Sequence, residues 1–138
     1  RGEWLWHGKI GNMIDISNAR FAFLDIETTG LSPWFGDRIC QIAIVLTEGK
    51  RIKSTLDLLV NPEHEISPAA FQINKLDESK LSAAPLFAEV VPQIETLLNE
   101  SIIVCHNAQF DLQFLDNEYR KRTPRIKNTQ EKPIPGSA

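Results

Sequence analysis

The sequence predicts an α/β fold, and two patterns indicate it. β-prone runs fill the first part of the chain, whereas apolar residues at helical spacing appear later. A short apolar run near Ile102, which predicts a fourth, buried strand, then leads into a second helical pattern. With 138 residues, of which 42% are hydrophobic and 24% charged, one core is expected. The first three predicted strands span residues 20–26, 37–46 and 51–60.

The predicted strands are separated by turn signals. Gly30 allows the chain to turn soon after the first strand. The second strand is recognised by apolar residues at alternate positions around Cys40 and Gln41. Glu48, Gly49 and Lys50 are predicted to form a hairpin turn that leads into the third strand.

Three helices are predicted after the strands. The first is short and has Pro68 at its first position, where the missing N–H is tolerated. The second covers residues 85–99 and has an apolar face, although Pro92 predicts either a kink or a later start. Asn107 is a good N-cap for the third helix, over residues 108–121.

Two carboxylates stand at alternate positions near the end of the first strand. Because successive strand side chains alternate between faces, Asp25 and Glu27 project to the same side, roughly 6–7 Å apart. Two like charges this close repel each other unless a cation lies between them. The pair is therefore a candidate site for a hard, oxygen-preferring ion such as magnesium or manganese.

A third carboxylate belongs to the later strand–helix segment. Asp111 falls near the first turn of the last predicted helix, next to the aromatic Phe110. Each carboxylate also has a purely structural explanation. Asp25 and Glu27 can face solvent on a strand, and an aspartate near a helix N-terminus stabilises the helix dipole. Neither segment is decisive by itself.

Together the two segments resemble the first two motifs of the DnaQ-like branch of the DEDD-type (DEDDh) 3′–5′ exonucleases, which includes proofreading subunits of DNA polymerases. The first family motif is an apolar strand followed by Asp-x-Glu-Thr-Thr-Gly-Leu. The second is His-Asn-Ala-x-Phe-Asp, followed by an aromatic or apolar pair. The matching residues are Asp25, Glu27, Thr28, Thr29, Gly30 and Leu31 in the first motif and His106, Asn107, Ala108, Phe110, Asp111, Phe114 and Leu115 in the second.

The resemblance implies a ribonuclease H-like mixed sheet flanked by helices. It also implies a third motif, a histidine followed about five residues later by an aspartate. No residue after Asp111 offers that pattern, since His106 is the last histidine and Asp116 the last aspartate. The C-terminal part of the family fold is therefore expected to be missing, with its fourth carboxylate and general-base histidine. Activity is expected to be impaired in this form. His64, in a polar connector, is expected to face water.

By resemblance, the activity is metal-dependent hydrolysis of phosphodiester bonds at the 3′ ends of single-stranded DNA. Asp25, Glu27 and Asp111 would be the catalytic residues and also the ligands of two divalent cations, Mg or Mn, about 4 Å apart. The implied substrate-binding residues are Thr28 through its backbone, Leu31 as a wedge against the last base, Asn107 and Phe110.

Two alternatives stay open. The domain can be a non-catalytic nucleic-acid-binding or assembly module that keeps the fold. It can also be an RNA-trimming exonuclease, because nothing in the sequence reads a 2′-hydroxyl. A DNA polymerase or a fused domain is a candidate partner.

Three parts of the chain are distinguished. Residues 1–19 are expected to be an N-terminal extension or the end of a preceding domain, residues 20–122 the exonuclease-like domain, and residues 123–138 a basic, proline-containing tail. The formal net charge of −3 does not exclude a nucleic-acid partner, because basic residues cluster toward the C-terminal end.

The expected location is cytoplasmic, without a membrane. No apolar stretch approaches membrane-spanning length, and the chain does not begin with a basic-then-apolar leader. Cys40 and Cys105 both fall in apolar strand-like runs. They are expected to be buried free thiols in a reducing compartment, because two cysteines make no metal or redox motif.

Overall fold

A computed structural model describes residues 16–122 of the chain. The expected N-terminal extension is therefore described only from residue 16, and the basic tail at 123–138 lies outside the described residues. The strands are β1 (Arg20–Thr28), β2 (Ile39–Glu48), β3 (Arg51–Leu59) and β4 (Ile102–Cys105). The helices are α1 (Pro68–Asn74), α2 (Glu78–Ala83), α3 (Phe87–Leu98) and α4 (Ala108–Arg122), and a 3-10 turn covers Pro33–Phe35.

The strands form one mixed sheet in the order β3–β2–β1–β4. β1, β2 and β3 pair in antiparallel fashion, whereas β4 lies parallel to β1. β4 confirms the strand predicted near Ile102, but the prediction that it is buried was wrong, because β4 is an edge strand with exposed and half-buried side chains. The turn between β2 and β3 falls at Gly49 and Lys50, as predicted, and Gly49 has a φ of 58°, which glycine adopts without steric cost. The expected α/β fold with a mixed sheet is confirmed.

The hydrophobic core lies on one face of the sheet. Ala22 and Leu24 of β1 point into it, together with the buried side chains of β2. α3 and α4 cover this face, with Ile94 and Phe114 among the residues they contribute. Because side chains alternate along a strand, Phe23 belongs to the opposite face, where it is exposed.

The helix starts follow local capping. α1 begins at Pro68, as predicted, and the Ser67 hydroxyl accepts a hydrogen bond from the Ala70 N–H at 3.1 Å. α3 begins at Phe87, two residues after the predicted start, and continues through Pro92. The five buried apolar side chains of α3 hold it against the sheet, which offsets the one N–H that proline lacks.

α2 was not predicted from the sequence. Its six residues are too few to show a helical period, and Leu81 is its buried residue. Asp77 caps the helix, since its carboxylate accepts a hydrogen bond from the Ser79 N–H at 2.9 Å. Between residues 16 and 122, no helix is both long and apolar enough to cross a bilayer.

A buried ion pair joins the sheet to α4. Arg38, just before β2, donates through Nε and Nη2 to the two carboxylate oxygens of Glu118, each at 2.7 Å. The side chain of Glu118 is 2% exposed and that of Arg38 17%. Glu118 follows Asp111 by two helical turns on the same side of α4. The pair therefore fixes the position of the helix that carries Asp111.

Glu118→Ala is expected to lower the free energy of unfolding by about 3 kcal/mol, because it leaves the mostly buried Arg38 charge without its partner. Urea denaturation followed by circular dichroism measures the change. The matched control is Asp116→Ala, which removes the exposed pair with Arg120 (2.8 Å) on the same helix. The control is expected to cost less than about 0.5 kcal/mol. Equal losses would show that the buried pair does not hold α4.

Candidate active site

β1 runs beyond its neighbour at one end of the sheet. β4 pairs with β1 only as far as Leu24, which lies opposite Cys105. Past this point Asp25 and Glu27 have a strand neighbour only on the β2 side. Both belong to the sheet face opposite the core, where Asp25 is exposed and Glu27 is half-buried. The end of β1 is therefore open beside β4.

Asp111 approaches this opening from α4. The chain leaves β4 at Cys105 and enters α4 at Ala108, so the first turn of α4 lies near the carboxyl end of β1. Asn107 acts as the predicted cap, since its Oδ1 accepts a hydrogen bond from the Phe110 N–H at 3.4 Å. Asp111 is buried, and the thiol of Cys105 donates a hydrogen bond to its carboxylate.

The three carboxylates interact electrostatically. Burial raises the pKa of Glu27, and the charges of Asp25 and Asp111 raise it further. Burial is also the main reason that the pKa of Asp111 is raised. The hydrogen bond from the Cys105 thiol opposes that rise, Asp25 adds to it, and His106 opposes it. The two segments thus build one region of negative potential, which a cation would neutralise.

The donor set fits a hard divalent cation, because magnesium and manganese prefer carboxylate oxygens. Among the residues that the structure describes, however, no three histidine, cysteine, aspartate or glutamate side chains are grouped closely enough to hold an ion as they stand. The charges of Asp25 and Asp111 raise the pKa of Glu27, but the three carboxylates are not close enough together to coordinate one ion. An exposed side chain such as Asp25 can change rotamer toward an ion at little cost.

Three of the residues assigned to substrate binding border this region. Leu31 is exposed just beyond β1, and Asn107 is exposed at the start of α4. Phe110 is half-buried and packs on Phe114, with the ring centroids 4.8 Å apart. Leu31 thus follows the Asp25–Glu27 pair in the chain, and the supported ring of Phe110 directly precedes Asp111.

Thr28, the fourth of these residues, is buried and engaged internally. Its hydroxyl donates to the Gly30 carbonyl oxygen at 2.6 Å. Its own carbonyl oxygen accepts a hydrogen bond from the Asn74 side chain at 3.3 Å. Asn74, at the end of α1, was not predicted to belong to the site. Because Asn74 and Thr28 are 46 residues apart, no local sequence pattern predicts this contact.

Asp37 is a second residue that the sequence did not single out. Its carboxylate accepts hydrogen bonds from the Thr29 hydroxyl and the Ser32 N–H, both at 3.1 Å. A Cβ added to Gly30 would collide with the same carboxylate, so a larger residue there would displace Asp37 from its present position. Asp37 therefore shapes the loop after the carboxylate strand. The sequence Gly36–Asp37 could have indicated a structured loop, but glycine and aspartate are common in turns of every kind.

The cysteines and His64 match expectation, except for the burial of Cys105. Both thiols are free, as predicted. Cys40 is buried, but Cys105 is only half-buried, because it ends a strand at the edge of the sheet. His64 is exposed, as expected, and His106 is exposed as well.

Comparison with known protein families agrees with the two carboxylate segments. A family model described as Exonuclease (RNase_T) matches residues 22–132, a span that includes both carboxylate segments. The chain belongs to this exonuclease family of hydrolases, as the motifs led us to expect.

Curated relatives carry the same region within much longer chains. The chain is 37% identical over 109 residues to the DNA polymerase III PolC-type of Caldanaerobacter subterraneus subsp. tengcongensis, covering 79% of this chain and 8% of that protein. It is 40% identical over 97 residues to a DNA polymerase III subunit epsilon-like protein of Rhodobacter capsulatus, covering 69% of this chain and 14% of that protein. The chain therefore spans less than a sixth of either relative.

Solved structures share the fold. The product-bound structure of exonuclease I matches with a TM-score of 0.68 at 22% identity, covering 76% of this chain and 26% of that one. Escherichia coli exonuclease I in complex with a dT13 oligonucleotide matches with a TM-score of 0.66 at 22% identity, covering 75% and 24%. The ribonuclease H-like arrangement expected from the motifs is confirmed by this likeness.

Both thiols are expected to alkylate slowly at neutral pH. Burial raises the pKa of Cys40 to about 12, and burial together with Asp111 and Asp25 raises the pKa of Cys105 to about 11. Iodoacetamide should therefore react at least about 100-fold more slowly than with an unfolded peptide thiol, as the thiolate fraction dictates. Mass spectrometry of the native and urea-unfolded chain measures the ratio. Rapid native labelling of Cys105 would contradict its placement beside the carboxylates.

Proposed function

We propose that this domain is a metal-dependent 3′–5′ exonuclease that removes nucleotides from single-stranded DNA ends. The observation that carries the proposal is the mutual interaction of three carboxylates from two distant segments at the open end of β1. The charges of Asp25 and Asp111 both raise the pKa of Glu27. Family membership and the polymerase III relatives support the assignment.

In this proposal Asp25, Glu27 and Asp111 would hold two magnesium or manganese ions. When bound, such ions stabilise the attacking and leaving oxygens of a phosphodiester and supply the nucleophile. The protein contributes the positions of the three carboxylates. Those of Asp25 and Glu27 come from a strand in the middle of the sheet, and that of Asp111 from a helix anchored by the Arg38–Glu118 pair.

The terminal nucleotide would meet apolar and polar side chains beside the carboxylates. Leu31 would press against the last base, Phe110 would pack on the terminal nucleotide, and Asn107 would support the strand. The Thr28 backbone would face the 3′ oxygen. Contacts of this kind suit an unpaired end, because a duplex end must first be frayed before its bases can be reached.

Proton transfer at the carboxylates needs a general base. His106 interacts with Asp111, but by resemblance it belongs to the second motif and is not that base. The family's third motif supplies a histidine, and residues 112–138 contain none. We therefore propose that these 138 residues by themselves cleave slowly. The second candidate is a binding or assembly module. It is favoured by one observation: within residues 16–122 no three potential ligand side chains are close enough together to hold a metal ion. RNA is the alternative substrate.

We also propose a domain organisation, a partner and a location for this protein. The exonuclease domain spans residues 20–122, preceded by an extension and followed by a basic tail. A DNA polymerase or a fused domain is its partner, and the location is cytoplasmic. The polymerase III relatives support this partnership by their names.

Asp25→Ala is expected to abolish metal-dependent shortening of a labelled single strand by the full-length protein, because it removes one of the three carboxylates that would hold the ions. A denaturing gel measures the shortening, and circular dichroism checks that the fold survives. Asp57→Ala is the matched control, since Asp57 is an exposed carboxylate two strands away on the same sheet face. Equal shortening by the wild type and Asp25→Ala would refute the proposal.

Asp111→Asn is expected to raise the free energy of unfolding by about 1 kcal/mol when EDTA is present, because it removes a buried charge that lies near like charges. Added manganese is expected to stabilise the wild type more than the variant. Thermal denaturation with and without manganese measures both effects, with the exposed Asp116→Asn as control. If Asp111 only stabilised the helix dipole, the variant would be less stable in EDTA and manganese would not distinguish the two proteins.

A further inference from the structure

Three large apolar side chains project into solvent directly after the carboxylate strand. Leu31 is 84% exposed, Trp34 78% and Phe35 89%. Single exposed apolar residues are ordinary on protein surfaces, but three within five positions beside a proposed active site are not explained by chance scatter. We call residues 31–37 the aromatic loop.

The aromatic loop is held in one conformation by its own hydrogen bonds. The Asp37 carboxylate binds the Thr29 hydroxyl and the Ser32 N–H, as described above. The N–H of Phe35 and that of Asp37 both donate to the Ser32 carbonyl oxygen at 3.2 Å. Gly36 takes a φ of 94°, which favours glycine, and closes the turn. The rings of Trp34 and Phe35 are thus presented on a fixed support.

The loop also rests against α4. Trp34 lines a small cleft together with residues of that helix, among them Arg120. The side chain of Arg120 is 75% exposed and is paired with the exposed Asp116 at 2.8 Å. An exposed pair of this kind contributes little to stability, so Arg120 can exchange its partner for a phosphate. Lys121, the next residue, is exposed as well.

We propose that Trp34 and Phe35 form a stacking platform for the unpaired bases next to the terminal nucleotide. This inference rests on the proposed function, because it extends the same site along the substrate strand. Proteins that bind single-stranded nucleic acid without sequence preference combine aromatic rings, on which bases stack, with cationic side chains that contact phosphates. Trp34, Phe35 and Arg120 provide both kinds of group. Stacking of this kind changes affinity roughly 10-fold for each ring.

Continuity with the carboxylates favours this occupant over a protein. The loop starts at Leu31, immediately after the turn that ends β1, and Asp37 fastens its far end to Thr29. Any strand whose 3′ end reaches Asp25 and Glu27 must leave the site over neighbouring surface, and the aromatic loop is the adjoining part of the chain. A second copy of the chain or another protein on the loop is the competing outcome.

The first experiment measures binding by the 138-residue chain in EDTA, so that cleavage plays no part. Trp4→Phe and Trp6→Phe leave Trp34 as the single tryptophan. Titration with a ten-residue oligothymidylate is expected to quench its fluorescence in a saturable manner. Trp34→Ala and Phe35→Ala should each weaken the affinity roughly 10-fold by fluorescence anisotropy of the labelled oligonucleotide. Ile52→Ala, which alters an exposed apolar residue of β3, is the control and should change nothing.

The second experiment separates this inference from the proposed function. The full-length protein is assayed on the oligonucleotide and on the p-nitrophenyl ester of thymidine monophosphate, which has no second base. Trp34→Ala is expected to raise KM for the oligonucleotide and leave hydrolysis of the ester unchanged. If the wild type hydrolyses neither substrate, the proposed function fails, while the fluorescence titration still decides on the platform.

Two results would overturn the platform. One is an absence of quenching, with the affinity of Trp34→Ala equal to that of the wild type. The other is a loss of self-association in Trp34→Ala by sedimentation, with oligonucleotide binding unchanged, which would assign the loop to a contact between proteins.

Discussion

The parallel pairing of β1 with β4 is the constraint on which the candidate site depends. Because the pairing stops at Leu24 and Cys105, β1 continues without a neighbour on that side, and α4 begins beside the gap. The carboxylates of β1 and the aspartate of α4 can therefore approach each other although they are far apart in sequence. A different register would turn Asp25 and Glu27 toward the core.

This arrangement is costly for stability and is held by contacts elsewhere. Burial and like charges raise the pKa of Glu27 and of Asp111, so each carboxylate disfavours the folded state when it is ionised. Glu118, in contrast, is matched on both oxygens by Arg38. Of the two buried carboxylates of α4, Glu118 is therefore neutralised by an ion pair, whereas Asp111 lies near like charges. That division is typical of sites where stability is exchanged for function.

Local patterns in the sequence predicted the elements that local physics controls. Strand alternation put Asp25 and Glu27 on one face, Asn107 capped α4, and the turn at Gly49 joined β2 to β3. Contacts that depend on the fold were missed. The Arg38–Glu118 pair joins residues 80 positions apart, and the loop role of Asp37 appears only once its carboxylate is seen against Thr29 and Ser32. α3 starts two residues later than predicted and continues through Pro92, because packing of α3 on the sheet outweighs one absent hydrogen bond.

Direct counting of bound manganese tests whether Asp25, Glu27 and Asp111 bind divalent cations together. Electron paramagnetic resonance of free Mn²⁺ during titration, with thymidine monophosphate present, gives the stoichiometry and affinity for the wild type and for single carboxylate variants. We expect up to two bound ions in the wild type and a loss of binding when any one of the three carboxylates is neutralised. Binding that is unchanged in all three variants, or absent from the wild type, would contradict it.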